Sequence, residues 1–263
     1  MQDQETIFIT NRRGLKLSVR IIKPEKSKNL VFLGHGLSAY KDYPHMLVME
    51  SEFAAHGYIV VNIDFADGLG ESNNSINGIT FDGHYNDLED VINWAKTQSW
   101  YKEPFALAGQ SLGAHTSLLY AKRYPDYVNL LVLVSFPWID GKQFMEMNKN
   151  NRIKDIKENG FWEYKSKSTG KVWRMYQSFL DSIIDVNALN DIKKVKAKTF
   201  LLFGDKDKPE YHVSNKILFD ALKTEKEFII LRGVPHDVAN TPEHKEIFIN
   251  ALRTVLMKSI KAD

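Results

Sequence analysis

Six short, continuous apolar runs separated by stretches of helical periodicity constrain this chain more than any other feature. They fall at residues 30–33, 58–63 (interrupted by Asn62), 105–108, 130–134, 200–203 and 228–231. A strand wetted on one face alternates apolar and polar residues, whereas a run apolar throughout suits a strand covered on both faces, as in a parallel sheet. The intervening segments carry the helical stripes that would provide that cover. Met46, Met49 and Phe53 share a face over residues 44–56, and Tyr85, Leu88, Val91, Ile92 and Ala95 do so over residues 85–98. A third helix is predicted over residues 112–124, stopping before Pro125. A fourth begins at Thr241-Pro242, a capping residue followed by proline at the first helical position.

The first two strands differ. Ile7 and Ile9, then Leu15, Leu17, Val19 and Ile21, alternate with polar neighbours around an Asn11-Arg12-Arg13-Gly14 turn. This is an antiparallel hairpin at the edge of a larger sheet. The expectation is a single α/β unit: a mostly parallel sheet of about eight strands flanked by helices. The length of 263 residues suits one such domain. One interval breaks the alternation. Residues 138–197 show no parallel-strand signal, but two aromatic segments, 161–165 and 171–175, flank a polar turn and predict a hairpin. The expected organisation is a core of residues 1–137 and 198–263 with an inserted lid at 138–197. Its aromatic residues Trp138, Phe161, Trp162 and Trp173 are candidates for a substrate pocket.

Charge and cysteine content exclude several functions. The net charge is +2, and the densest basic stretch, residues 193–198, is interrupted by Val195 and Ala197, so nucleic acid is not an expected partner. With no cysteine, disulfides, thiolate catalysis and cysteine-based zinc sites are ruled out. No run approaches the ~20 apolar residues of a membrane span. Residues 1–5 have neither the basic nor the apolar region of a signal peptide, so the expected location is cytoplasmic, as monomer or homodimer.

The chemistry is written at Gly109-Gln110-Ser111-Leu112-Gly113, between an apolar run and a helix. This G-x-S-x-G at a strand–turn–helix junction has the pattern of a nucleophile elbow, in which glycines let strand and helix approach and the serine is raised on a strained turn. Serine is a weak nucleophile at neutral pH and needs a base, itself oriented by an acid. Two later strands end in loops that can supply them: Gly204-Asp205-Lys206-Asp207, then Gly233-Val234-Pro235-His236-Asp237. His236 is the candidate base among eight histidines. Asp205 and Asp207 both lie in the acid loop, and spacing from the glycine favours Asp207. Gly34-His35-Gly36-Leu37 closes the first buried strand, with His35 read as shaping the loop. An oxyanion would need two backbone N–H donors, for which Leu37 and Leu112 are the candidates.

Together these residues resemble the α/β-hydrolase superfamily, and within it cinnamoyl and feruloyl esterase-like and monoglyceride-lipase-like enzymes. Gly34-His35-Gly36 with Lys41-Asp42 is similar to the family's His-Gly loop, and residues 64–72 are similar to its Asp-x-x-Gly-x-Gly-x-Ser segment. The latter is one residue longer here and carries Asp67 and Leu69 where arginine and histidine are frequent. The elbow has Gln110 where histidine is frequent. Gly204-Asp205-Lys206-Asp207 matches the family's Gly-x-x-Asp loop, which assigns the acid to Asp207. The resemblance implies a serine esterase working through an acyl-enzyme on small-molecule esters, with no metal or cofactor. A thioesterase, amidase or peptidase with the same triad, and a ligand-binding receptor on the same fold, remain open.

Overall fold

The computed structural model describes residues 3–75, 78–166 and 170–260, for Ile260 the backbone alone. The amino-terminal hairpin pairs β1 (Asp3–Thr10) with β2 (Lys16–Lys23) in the register Ile7–Val19 and Ile9–Leu17. Its turn is closed by Asn11, whose side-chain oxygen accepts from the N–H groups of Arg13 and Leu15, both at 2.9 Å. The apolar runs become β3 (Asn29–Gly34), β4 (Tyr58–Ile63), β5 (Phe105–Gln110), β6 (Val128–Val134), β9 (Lys198–Gly204) and β10 (Lys226–Leu231). The eight strands form one sheet in the order β1-β2-β4-β3-β5-β6-β9-β10. The hairpin joins antiparallel through β2 and β4, and all later pairs are parallel.

Burial explains why these runs are unbroken. In β3, Leu30 and Phe32 enter one core while Val31 and Leu33 enter the other; in β4, Val61 and Val60 divide in the same way. One face is covered by α1 (Pro44–Ala55) and α8 (Pro242–Ile260), through residues such as Phe53 and Phe248. The other is covered by α2 (Phe81–Ala95), α3 (Leu112–Arg123) and α7 (Pro209–Ala221), through Tyr85, Leu118 and Leu218. Each large aliphatic side chain taken wholly out of water contributes about 1.5–3 kcal/mol. An unpartnered polar residue in these strands would therefore work against the fold; Asn62 in β4 is accommodated because its amide donates to Lys41 O at 3.0 Å and to Glu50 at 2.7 Å.

Two boundaries depart from the periodicity. Helix α2 starts at Phe81, not Tyr85, because Thr80 caps it: the Thr80 hydroxyl accepts from Gly83 N–H at 2.9 Å. Strand β10 reads as doubly buried, yet it is the sheet edge and only half-covered; Ile230 is 40% exposed.

The chain leaves the sheet after β6 and returns at β9. Between them lie α4 (Gly141–Asn148), α5 (Arg152–Asn159), the antiparallel pair β7 (Phe161–Lys165) and β8 (Val172–Tyr176), α6 (Gln177–Ile183) and one 3-10 turn (Ile192–Lys194). The middle of the hairpin's polar turn lies outside the described residues. This excursion has its own apolar cluster, in which Trp138, Phe144, Trp173 and Phe179 pack with Leu69 and Leu112 from the core. Its far end is tied to α3 by Lys122, whose buried ammonium donates to the carbonyls of Ala188 at 3.1 Å and Asn190 at 3.0 Å.

Candidate active site

Ser111 is the single residue between β5 and α3. Its backbone sits at φ 53°, ψ −116°, a region that costs a side-chain-bearing residue on the order of 1–3 kcal/mol. The surroundings hold it there. Ser111 N–H donates to Val134 O at 2.9 Å, and Ser111 O accepts from His115 N–H at 3.1 Å. A Cβ on Gly113 would strike the Gly34 carbonyl, so only glycine lets α3 sit this close to β3. The serine hydroxyl thus stands at the positive end of a twelve-residue helix. Leu112 N–H, the first amide of that helix, has no intrahelical acceptor.

Strands β9 and β10 run parallel to β5, so their carboxyl ends lie at the same edge of the sheet. The loop after β10 carries His236 and that after β9 carries Asp207. His236 Nε2 lies 3.1 Å from Ser111 Oγ, and Nδ1 lies 2.7 Å from Asp207 Oδ2. The second oxygen of Asp207 accepts from Lys208 N–H at 2.7 Å. Asp205 points elsewhere: it accepts from Gly233 N–H at 2.7 Å and lies 3.5 Å from Arg232, joining the two loops. The His236 carbonyl is itself held, accepting from Ser135 Oγ at 3.2 Å and Gln110 Nε2 at 3.4 Å. Sequence reasoning did not find these two anchors. Gln110 lies inside the elbow motif, but nothing local to Ser135 reveals its contact with a loop 101 residues away.

A buried ion pair braces the loop that follows β3. Asp64 accepts from Lys41 N–H at 2.5 Å and from its ammonium at 3.2 Å, while its backbone carbonyl accepts from Ser72 Oγ at 2.6 Å. Lys41 also reaches Glu71. The Asp64 carboxylate therefore fastens the 64–72 segment to the loop carrying Leu37. His35 serves the same loop: one ring nitrogen meets Gly36 O at 2.8 Å and the other accepts from Phe65 N–H at 3.1 Å. Burial holds its imidazole below the usual value, so it is neutral.

Ser111 and His236 open on a cavity of about 420 Å³. Leu37 and Leu112 line it, as do Trp138 and Trp162 from the excursion. Phe161 and Trp173 do not. Phe161 lies on the opposite face of the hairpin from Trp162, where the Arg174 guanidinium sits 4.4 Å from its ring centre; adjacent strand residues point to opposite sides. Trp173 lies beside Trp162 but is buried beneath it, donating its indole N–H to Asp67 O at 2.6 Å. The wall also includes residues that the sequence did not mark: Tyr164, Arg152, Tyr211 and His45. Both ring nitrogens of His45 are buried without a hydrogen-bond partner among the described residues, and burial pushes its imidazole down to about 3, with His236 and His35 adding smaller contributions. It is therefore a neutral wall at physiological pH. Among the described residues, no group of three or more His, Asp and Glu side chains is placed to hold a metal ion.

The family described as serine aminopeptidase, S33, a family of hydrolases, matches residues 25–160, which include the His-Gly loop, the elbow and the sheet strands that carry them. The chain belongs to this family. Within this S33 hydrolase, a stretch of 160 residues is 28% identical to monoacylglycerol lipase ABHD6 of Bos taurus, covering 56% of this chain and 45% of the lipase. The match thus spans less than half the length of that relative. Among solved structures, Est1E from Butyrivibrio proteoclasticus with ferulic acid bound superposes with a TM-score of 0.79 at 16% identity, over 97% of this chain and 99% of that one. Mouse alpha/beta hydrolase domain-containing protein 10 superposes with a TM-score of 0.73, also at 16% identity, over 97% and 99%. At such identities the likeness establishes the α/β-hydrolase fold. Among the described residues of this hydrolase, no helix is long and apolar enough to cross a membrane.

Proposed function

We propose that the protein is a carboxylic ester hydrolase that works through a Ser111–His236–Asp207 triad and an acyl-enzyme, on small esters with apolar or aromatic parts. The observation that carries this reading is the His236 ring, within hydrogen-bond distance of Ser111 Oγ on one side and Asp207 on the other. His236 Nε2 takes the Ser111 proton as Oγ attacks the ester carbonyl. The oxyanion that forms is met by the N–H groups of Leu37 and Leu112, each such donor contributing about 3–4 kcal/mol to lowering the barrier in comparable sites. The tetrahedral adduct then expels the alcohol, which leaves with the proton from His236. Water next gives a proton to His236 and attacks the acyl group, releasing the acid and restoring the serine. Asp207 keeps the Nδ1 proton on the imidazole and stabilises the imidazolium that forms twice per cycle. Residues 138–197 act as the lid, contributing Trp138 and Trp162 to the acyl or alcohol pocket.

Ester chemistry is preferred to the peptidase activity in the family's description because of the charges around the cavity. An aminopeptidase must hold its substrate's ammonium, yet the two acids on this wall are Asp207, committed to His236, and Asp237, against the cations Arg152, Lys206 and Lys208. Similarity to a monoacylglycerol lipase supports the same choice. The test is hydrolysis of p-nitrophenyl esters from acetate to octanoate by the wild type and Ser111→Ala, with a fluorophosphonate probe as a chemistry-independent check. Turnover and labelling that both depend on Ser111 are expected. Labelling of Ser111 without turnover of any ester, but with cleavage of aminoacyl p-nitroanilides, would overturn the ester reading and leave the nucleophile in place.

A further inference from the structure

Arg152 is unusual among the arginines of this protein. Arg12, Arg13, Arg20, Arg174, Arg232 and Arg253 each pair with a carboxylate. Arg123, on the exposed surface, lies over the Tyr85 ring. Arg152 is half-buried on the wall of the cavity that holds Ser111, and no carboxylate among the described residues pairs with it. Its guanidinium carbon stands 4.6 Å from the centre of the Trp162 ring. Stacking on an indole occupies one face of the guanidinium and leaves its edge N–H groups to form a fork that suits two carboxylate oxygens. Tyr211 lies on the same wall, its ring 5.0 Å from that of His236, with its hydroxyl unpaired among the described residues.

Two further facts argue against a structural role. Arg152 is the first residue of α5, where a cation opposes the helix dipole, so it is not there to stabilise the helix. Burial also pushes its guanidinium below the ordinary value, with the nearby Tyr211 as the counteracting influence, whereas acidic partners raise Arg12, Arg13 and Arg20. The wall carries three cations, Arg152, Lys206 and Lys208, against Asp237 and an Asp207 already paired with His236, and a half-buried cation without a carboxylate partner is costly unless something anionic enters the cavity.

We propose that Arg152 selects substrates by receiving a carboxylate on the acyl or the alcohol part of the ester, so that the preferred substrates are esters carrying a free carboxylate. This rests on the ester-hydrolase reading above. Trp162 holds the guanidinium in place, and Tyr211 provides an additional donor between the anion and the reacting centre.

The test uses matched pairs: 4-acetoxybenzoate against phenyl acetate for the alcohol side, and monomethyl adipate against methyl hexanoate for the acyl side. In the wild type, the charged member of at least one pair should be favoured in kcat/KM by about ten-fold or more, the range of a charge-assisted hydrogen bond. Arg152→Gln should reduce that charged-to-neutral ratio by at least ten-fold, mainly through KM, with Arg152→Lys falling between. A ratio unchanged in Arg152→Gln, or a parallel loss on both members, overturns the proposal. Preference for 4-acetoxyphenyl phosphate over 4-acetoxybenzoate, with the same dependence on Arg152, overturns the carboxylate assignment. A binding measurement separates this inference from the catalytic one. In Ser111→Ala, 4-acetoxybenzoate should quench tryptophan fluorescence, and the further change Arg152→Gln should abolish the quench. Binding that follows this pattern while the wild type hydrolyses no ester supports the anion site and sinks the esterase reading; turnover of neutral esters without such binding does the reverse.

Discussion

Replacing Asp207 with asparagine tests how the proposed triad is oriented, and its effect can be worked out from the contacts. Asp207 is buried, its side chain 1% exposed, and both oxygens are in use, one by His236 Nδ1 and one by Lys208 N–H. Asparagine has one carbonyl oxygen. If that oxygen stays with the Lys208 donor, the amide NH₂ faces His236 and forces Nδ1 to accept. Nε2 then carries the proton and can no longer take one from Ser111. The imidazolium formed during reaction also loses a carboxylate about 4 Å from its charge centre, worth about 4 kcal/mol at an effective dielectric of 20. The two effects describe one defect and do not add; kcat should fall by about 10³–10⁴, as for comparable triads that lose the acid's charge. Asp205→Asn is the control. Its carbonyl can still accept from Gly233 N–H, and the Arg232 partner is largely exposed, so kcat should stay within about threefold. Both variants would be assayed on p-nitrophenyl butyrate at pH 8, with circular dichroism to establish that each is folded. A folded Asp207→Asn retaining more than a tenth of wild-type kcat, or an equal loss in Asp205→Asn, would refute the assignment.

Stability should be acid-sensitive in a defined window. Burial lowers the imidazoles of His35 and His84 and takes His45 and His115 down to about 3 from an ordinary 6.5, so the folded protein keeps them neutral. The unfolded chain takes up those protons as pH falls through 6.5, so their contribution is complete above that pH and is lost progressively below it, for His45 and His115 down to about 3, at about 1.4 kcal/mol per pH unit per histidine. His115 stacks between Phe136 and Trp138, so His115→Phe keeps the packing and removes one proton site; its urea stability should fall by about 2 kcal/mol less than the wild type's between pH 6.5 and 5, and equal slopes count against the argument. Gly113→Ala favours the helix by about 1 kcal/mol but drives a methyl group into the Gly34 carbonyl, so a net loss of at least about 2 kcal/mol is expected by thermal denaturation. Stabilisation would show that α3 can retreat from β3. Lys122→Met leaves the Ala188 and Asn190 carbonyls without their donor, and a cost of about 1–3 kcal/mol is expected by urea titration, with faster proteolysis near residue 190.

What could be read from the sequence and what could not divides along the range of the interaction. The runs at 30–33 and 58–63 disclose β3 and β4 because burial on both faces is imposed residue by residue, and the hairpin of β1 and β2 shows because its alternation is equally local. Ser111 was legible for the same reason: the turn demands glycine at 113 and a strand and helix on either side, all within a few residues. Asp207 was half legible. The loop after β9 offers two acids, and only the direction of Asp205 towards Gly233, a contact 28 residues away, decides between them. The pocket was the least legible part. Aromatic content pointed to Trp138, Phe161, Trp162 and Trp173 together, yet a strand turns alternate residues to opposite faces, and that parity alone separates Phe161 from Trp162 once the hairpin is accepted. Trp173 passes the parity test and still fails as a wall residue, because Asp67, a residue from another loop, draws its indole beneath the surface. Arg152 gave no signal at all. It is one cation in a polar stretch, and the role proposed for it rests on the carboxylate it lacks, which becomes visible only when every acid in the described structure has been placed. Residues that make a catalytic turn are thus constrained by their neighbours in sequence, whereas residues that choose a substrate are constrained by what stands across an open cavity. That is why the hydrolase family could be read from this chain before the selectivity proposed for it.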